Sequence, residues 1–288
     1  MAAVHVAPVA PVGIGNRAYR GPLRGVIFDW AGTTVDFGSC APVAALQKLF
    51  ESRGAPISEE DARAPMGLHK RDHIRTLLKL PQVAQAWSSR HGRPVEETDV
   101  EAMYRDLLPL TLSAVREHGA VIAGVIELCA ALRRAGLRIG STTGYSDEMM
   151  AELIPLAAAQ GYRPDAVVTV SQVPAGRPAP WMCFRNAEQL NVYPMAALIK
   201  IGDTVADIGE GLSAGMWTVG LSRCGNEVGL TEAALLALPA TEQKARIDRA
   251  AGRLQKAGAH YVVESPAEVA AVLAEVSERL CRGETPAC

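Results

Sequence analysis

Near the start of this chain a single strand-like run, Gly25-Val26-Ile27-Phe28, is followed over residues 41–118 by helical patterns alone. Strand–helix alternation begins only after that. A strand whose sheet partners all lie far downstream forces the intervening helices into an insertion beside the sheet. Within it, Val43, Leu46, Leu49 and Phe50 recur on one side of residues 41–53, a helix that stops at Gly54. Ile57-Ser58-Glu59-Glu60-Asp61 has the form of a capped helix start. Pro65-Met66-Gly67-Leu68-His69 breaks that helix, and further helices are expected over 70–80, 81–90 and 99–118.

Beyond the return linker 119–124 a helix over 124–135 closes at Gly136, and the pattern then alternates. Strands are expected at 137–142, 166–170, 197–201 and 217–221, with a late edge strand at 261–263. Helices are expected at 180–190 and 208–214, and over the Ala/Leu-rich stretch 231–257. This alternation predicts a doubly wound, Rossmann-like α/β core with a parallel sheet, carrying an inserted all-helical cap. The expected division is a poorly ordered leader at 1–22, a core built from 23–38 and 120–288, and a cap at 39–119.

Charge excludes some partners. With 29 basic against 31 acidic residues in 288, nothing favours a nucleic acid or a membrane surface. A small-molecule substrate remains open, anionic or not, because a local pocket decides that. Six scattered cysteines without a C-x-x-C pair fit reduced thiols, hence a cytoplasmic protein. No apolar run reaches the roughly 20 residues of a membrane helix, and the leader lacks the basic start of a secretory signal. Gly13-Ile14-Gly15-Asn16-Arg17-Ala18 matches a loose dinucleotide fingerprint, but no strand precedes it.

In open α/β sheets the chemistry sits outside the carboxyl ends of the strands, and four such ends carry reactive or anion-binding types. Asp29 ends the first strand and can serve as nucleophile or metal ligand; a loop or N-cap aspartate is the plainer alternative. Thr142-Thr143-Gly144-Tyr145 offers hydroxyls and an opened backbone to phosphate oxygens. Gly176-Arg177-Pro178 offers a guanidinium. Gly202-Asp203-Thr204-Val205-Ala206-Asp207 places two carboxylates four apart across a turn, suited to a hard cation such as Mg²⁺. Each has an ordinary structural counterpart; the four in this order do not.

That set, Asp29, Thr143, Arg177 and Gly202-Asp203-x-x-x-Asp207, resembles the haloacid dehalogenase superfamily over nearly the whole chain after the leader. Phosphatases of that superfamily commonly carry a second aspartate two residues after the nucleophile, where this chain has Ala31. Phe28-Asp29-Trp30-Ala31-Gly32-Thr33-Thr34-Val35-Asp36, Pro65-Met66-Gly67 ahead of Lys70, and Gly176-Arg177-Pro178 resemble its phosphonoacetaldehyde hydrolase (phosphonatase) branch. The resemblance implies Asp29 as nucleophile and Lys70 as the amine that forms a Schiff base with an aldehyde. It also implies Mg²⁺ held by Asp29, the Ala31 carbonyl and Asp203; phosphate contacts from Thr143, Gly144 and Arg177; and a homodimer.

Supporting roles are expected for Asp207, Met66, Gly67, His73 and Tyr145. His73 is either a proton relay or cap packing, Tyr145 either lines the pocket or packs against the cap, and Met66 either shields the imine or packs in the core. Trp30 is expected to pack, and Cys40 to take no part. Lys70 must be unprotonated to attack, and its place near a helix N-terminus, with Arg71 and His73 close by, is expected to lower its pKa. The apolar face of the 41–53 helix is the candidate dimer surface. A phosphoester phosphatase or phosphomutase of the same superfamily, or a silent binding module on this scaffold, remain the alternatives.

Overall fold

The structure is a computed structural model that describes residues 19–286. The expected leader up to Ala18, with its glycine fingerprint, lies outside the described residues, as does Cys288. Six parallel strands form one sheet: β1 (Gly25–Phe28), β2 (Arg138–Thr143), β3 (Ala166–Thr169), β4 (Leu198–Gly202), β5 (Trp217–Leu221) and β6 (Tyr261–Val263). Their order is β3-β2-β1-β4-β5-β6. Chain order reverses between β1 and β4, and that switch point is where such sheets open a crevice for ligands. Phe28 pairs with Ile201, so Asp29 and the Gly202-Asp203 step emerge side by side.

β1, β4 and β5 are short and buried throughout because helices cover both faces, whereas the edge strand β6 is half-buried. α6 (Val125–Arg134) and α8 (Trp181–Leu190) pack on β2, and α9 (Val205–Ser213) packs on β4 and β5. Before α6, the insertion holds α1 (Cys40–Ser52), α2 (Glu59–Arg63), α3 (Lys70–Leu78), α4 (Pro81–His91) and α5 (Glu97–His118). The remaining helices are α7 (Asp147–Ala159), α10 (Glu232–Leu236), α11 (Ala240–Lys256) and α12 (Val269–Cys281). The fold class is the expected one. α7 and α12 were not anticipated, and the 231–257 helix is divided at Pro239, whose ring cannot continue a helix.

One expectation is overturned. Val43, Leu46, Leu49 and Phe50 of α1 are all buried within the chain itself, where α1 lies along α5. The apolar face of α1 is therefore already covered and is not a surface for a second copy. Trp30 packs as expected. It is fully buried, edge-on to Tyr162 with ring centroids 5.2 Å apart, and its indole donates to Ser141 Oγ at 2.9 Å. No helix among the described residues is long and apolar enough to cross a membrane.

Candidate active site

Asp29 leaves the sheet where β1 ends, its N–H still donating to Ile201 O at 2.9 Å. The chain then folds over the end of β4 through Gly32, at φ +85°, where a Cβ would stand 2.3 Å from Asp203 Oδ2. Gly225 walls the other side, its missing Cβ 2.4 Å from Asp203 Cβ. Only glycine permits both approaches. Thr33 Oγ1 donates to Asp203 Oδ1 at 2.8 Å and Asn226 N to Oδ2 at 2.7 Å, which orients the carboxylate. Asp36 accepts from the backbone N–H groups of Cys40 and Ala41, both at 3.0 Å, and so caps α1. Ser39 Oγ donates to Ala31 O at 3.2 Å.

Carboxylate oxygens of Asp29, Asp203 and Asp207 all lie within 4.8 Å of one another, and the three side chains are buried. Arg177 stands among them, with Nη2 2.7 Å from Asp29 Oδ1 and 3.2 Å from Asp207 Oδ1. Burial and the charge of Asp207 raise the Asp29 pKa to about 6, against the pull of Arg177 and Lys200. Burial and the charges of Asp29 and Asp207 push Asp203 well above the ordinary carboxylate range. Asp207 differs. Burial raises it too, but Arg177, Lys200 and the Thr204 hydroxyl outweigh that and leave it below its usual value. Asp207 is thus neutralised by protein, whereas Asp29 and Asp203 repel each other in a set of hard oxygens that suits a divalent cation.

The insertion supplies the opposite wall. Met66, Gly67, Leu68 and Lys70 face Asp29, Ala31, Thr143, Gly144, Tyr145 and Arg177 across one cavity of about 30 Å³. At the seam the two backbones nearly touch: a Cβ on Gly67, at φ +88°, would meet Thr204 Oγ1 at 2.6 Å, and one on Gly144 would meet Leu68 O at 2.8 Å. Lys70 begins α3 and is 4 % exposed. Its Nζ lies 3.6 Å from Met66 Sδ and 5.5 Å from the Tyr145 ring centre. Burial lowers its pKa from 10.5 to about 8; Asp29 acts against this and Arg177 with it. Neither Arg71 nor His73 supplies the expected push. Arg71 is turned away to Glu101 at 2.8 Å and over the Tyr104 ring.

Residues 23–215 match the haloacid dehalogenase-like hydrolase family. A phosphonoacetaldehyde hydrolase of Syntrophobacter fumaroxidans is 48% identical over 273 residues, spanning 95% of this chain and 99% of that one. One from Nitratidesulfovibrio vulgaris is 47% identical, over 94% of this chain and 97% of its own. This chain belongs to the phosphonoacetaldehyde hydrolase family. The crystal structure of a phosphonoacetaldehyde hydrolase-like protein from Oleispira antarctica superposes with a TM-score of 0.92 at 40% identity, covering 98% of this chain and 100% of that one.

For a hydrolase of this family the arrangement brings together a buried carboxylate, a guanidinium and an amine of lowered pKa around one cavity. Of the residues expected from sequence, Asp203, Asp207 and His73 stand outside its lining, the two aspartates at its floor beside Asp29. His73 is fully buried behind Lys70, with Nε2 2.9 Å from Ala62 O. Burial, then the charge of Lys70, push its pKa well below 6.5. A neutral ring locked to the backbone of α2 is packing within the insertion. Tyr145 lines the cavity, and its hydroxyl has no hydrogen-bond partner among the described residues. Lys200 and Glu210, both fully buried beneath Arg177, were not singled out from sequence. Their signal is there, a lysine inside the apolar run Leu198-Ile199-Lys200-Ile201 and a carboxylate one helical turn after Asp207.

Proposed function

We propose that the enzyme hydrolyses the carbon–phosphorus bond of phosphonoacetaldehyde to acetaldehyde and phosphate. The observation that carries this is the buried Lys70 amine, with a pKa of about 8, facing Asp29 across a cavity in which position 31 offers no acid. An ester hydrolase needs a proton donor for its leaving oxygen. A phosphonate needs somewhere for the carbon's electron pair to go, and a lysine imine provides it. The names of the relatives point the same way.

The fall in pKa from 10.5 to about 8 raises the neutral fraction of Lys70 at pH 7 about three-hundredfold. Its nitrogen attacks the aldehyde carbon, water leaves, and a protonated imine forms. Asp29, with a pKa of about 6, is largely ionised at neutral pH and attacks phosphorus from the opposite wall. The phosphorus–carbon bond breaks, its electron pair passes to the iminium as an enamine, and the phosphoryl group is left on Asp29. Protonation of the enamine carbon and hydrolysis release acetaldehyde and restore the amine, and a second water cleaves the aspartyl phosphate.

Arg177 Nη2 is committed to Asp29 and Thr142, but no described residue takes up Nη1. That nitrogen, with Thr143 and the Gly144 N–H, is available to phosphonate oxygens. Mg²⁺ would be held by Asp29, the Ala31 carbonyl and Asp203, where it offsets the negative charge of nucleophile and phosphonate together. The insertion meets the strand ends at the Gly67 and Gly144 seam, so residues 39–119 act as a cap over the core. Met66 then shields the imine. We also read the protein as a cytoplasmic homodimer; the free cysteines among the described residues support the compartment, the family resemblance the dimer, and sedimentation tests the latter.

Borohydride trapping tests the whole reading. With phosphonoacetaldehyde the expected result is a reduced two-carbon adduct on Lys70, with both adduct and phosphate release lost in Lys70→Arg. Phosphate release from simple esters that survives Lys70→Arg would instead establish a phosphatase.

A further inference from the structure

Beneath the carboxylate cluster lies a second layer of charge to which the proposed chemistry assigns no part. Lys200 sits in the middle of β4 between two isoleucines, with its side chain fully buried. Its space is made by a glycine inside α9. A Cβ on Gly211 would stand 2.8 Å from Lys200 Cβ and 2.5 Å from Thr218 Cγ2, and glycine within a helix is otherwise unfavourable. The ammonium donates to Thr142 Oγ1 at 2.9 Å, and lies 2.9 Å from Asp207 Oδ1 and 3.3 Å from Glu210 Oε2.

Glu210 completes the layer. Its Oε2 accepts from Arg177 Nε at 2.9 Å and from the Thr142 hydroxyl at 3.0 Å. The same hydroxyl accepts from Arg177 Nη2 at 2.8 Å and from Lys200, which uses its one proton and both lone pairs. Asp29, Asp207 and Glu210 therefore contact two buried cations, Arg177 and Lys200, and with Asp203 beside Asp29 this layer sets four carboxylates against two cations. The formal balance is minus two, the charge that one divalent cation cancels. Without Lys200, Arg177 alone would answer to Asp29, Asp207 and Glu210, and the inner pair would draw it from the nucleophile.

We propose that Lys200 and Glu210 are positioning residues. Glu210 holds the Nε edge of Arg177 so that Nη2 reaches Asp29, and Lys200 occupies the inner carboxylates so that Arg177 stays there. Together they set the charge against which a divalent cation and a phosphonate bind, a role that rests on the reading of the cavity given above.

Glu210→Gln is the variant that best preserves the fold, being isosteric and still able to accept from Arg177 Nε. It removes one negative charge. Calorimetry on the full-length protein at pH 8 is expected to show Mg²⁺ bound about tenfold more weakly and inorganic phosphate, at saturating Mg²⁺, about tenfold more tightly. Lys200→Met is expected to shift both the opposite way, and the double variant to bring each back within about threefold of wild type. If Glu210→Gln leaves both affinities unchanged, or weakens both, the pair serves only the fold and the proposal is overturned, whether or not Lys200→Met folds. A wild-type protein that binds neither Mg²⁺ nor phosphate would bring down the reading of the cavity itself; one that binds both, without opposed shifts in Glu210→Gln, overturns the positioning role alone.

Discussion

Replacing Lys70 by methionine separates what the residue does for chemistry from what it does to the fold. Its pKa falls from 10.5 to about 8, burial being the main cause. Two and a half units correspond to about 3 kcal/mol by which the folded state disfavours the ammonium. The sign follows from proton binding. Below pH 8 both folded and unfolded chains carry the proton and the full penalty applies. Between pH 8 and 10.5 the unfolded chain binds more protons than the folded one, so stability rises with pH, and above 10.5 the penalty is gone. Lys70→Met removes the charge while keeping an unbranched stem beside Met66 and Tyr145. Urea unfolding at pH 7 should therefore show the variant more stable than wild type by about 3 kcal/mol, with the gain shrinking towards zero at pH 10.5. The same variant should form no borohydride adduct. A variant no more stable at pH 7, or one whose advantage is the same at pH 7 and 10.5, would refute the claim that the fold holds this amine under strain for its chemistry.

Two further perturbations probe the seam and the metal. Gly67→Ala places a Cβ against Thr204 and Ala206 at a φ of +88°, so the insertion cannot seat on the strand ends. kcat/KM is expected to fall about 100-fold with a loss of stability in urea of about 1 kcal/mol from the strained φ, and wild-type kinetics in this variant would show that the contact is incidental. Chelation of divalent cations should leave the Lys70 adduct trappable, since imine formation needs only the amine and the aldehyde, yet stop phosphate release. Turnover at the wild-type rate in chelator would remove the metal from the mechanism.

Where sequence and structure agree, one physical rule is responsible: residues at the carboxyl ends of parallel strands converge, so Asp29, Thr143 and Asp203 could be grouped without coordinates. Arg177 joins them from the loop after β3. The same rule is silent about what lies beneath. Lys200 points into the layer between β4 and α9, and a lysine within an apolar strand reads in sequence as an interruption. Only contacts far apart in the chain, Lys200 with Thr142 and Glu210 with Arg177, reveal its use. α1 failed for a related reason. Its periodicity shows that one face is covered, but not whether α5 or a second copy covers it. His73 was placed by spacing one turn from Lys70, and the structure shows that turn facing α2 rather than the cavity. α7 carries Pro155 in its interior, a residue that in sequence argues against a helix.

Ala31 connects the fold's electrostatics to the choice of reaction. A carboxylate at this position would line the same cavity as Lys70. Taking a separation of roughly 6 Å and an effective dielectric constant of about 20, it would favour the ammonium by about 3 kcal/mol, or about two pKa units. That shift nearly cancels the depression that burial produces, and would return Lys70 to the charged, unreactive form at neutral pH. An acid suited to protonating an ester oxygen and an amine suited to forming an imine therefore exclude each other in this cavity. Ala31→Asp tests the point directly. The rate of borohydride trapping at pH 7 should fall about 100-fold, and its pH profile, expected to level off near pH 8 in the wild type, should move up by about two units. An unchanged profile would mean that the alanine serves only to make room, and that the link between the missing carboxylate and carbon–phosphorus cleavage is not electrostatic.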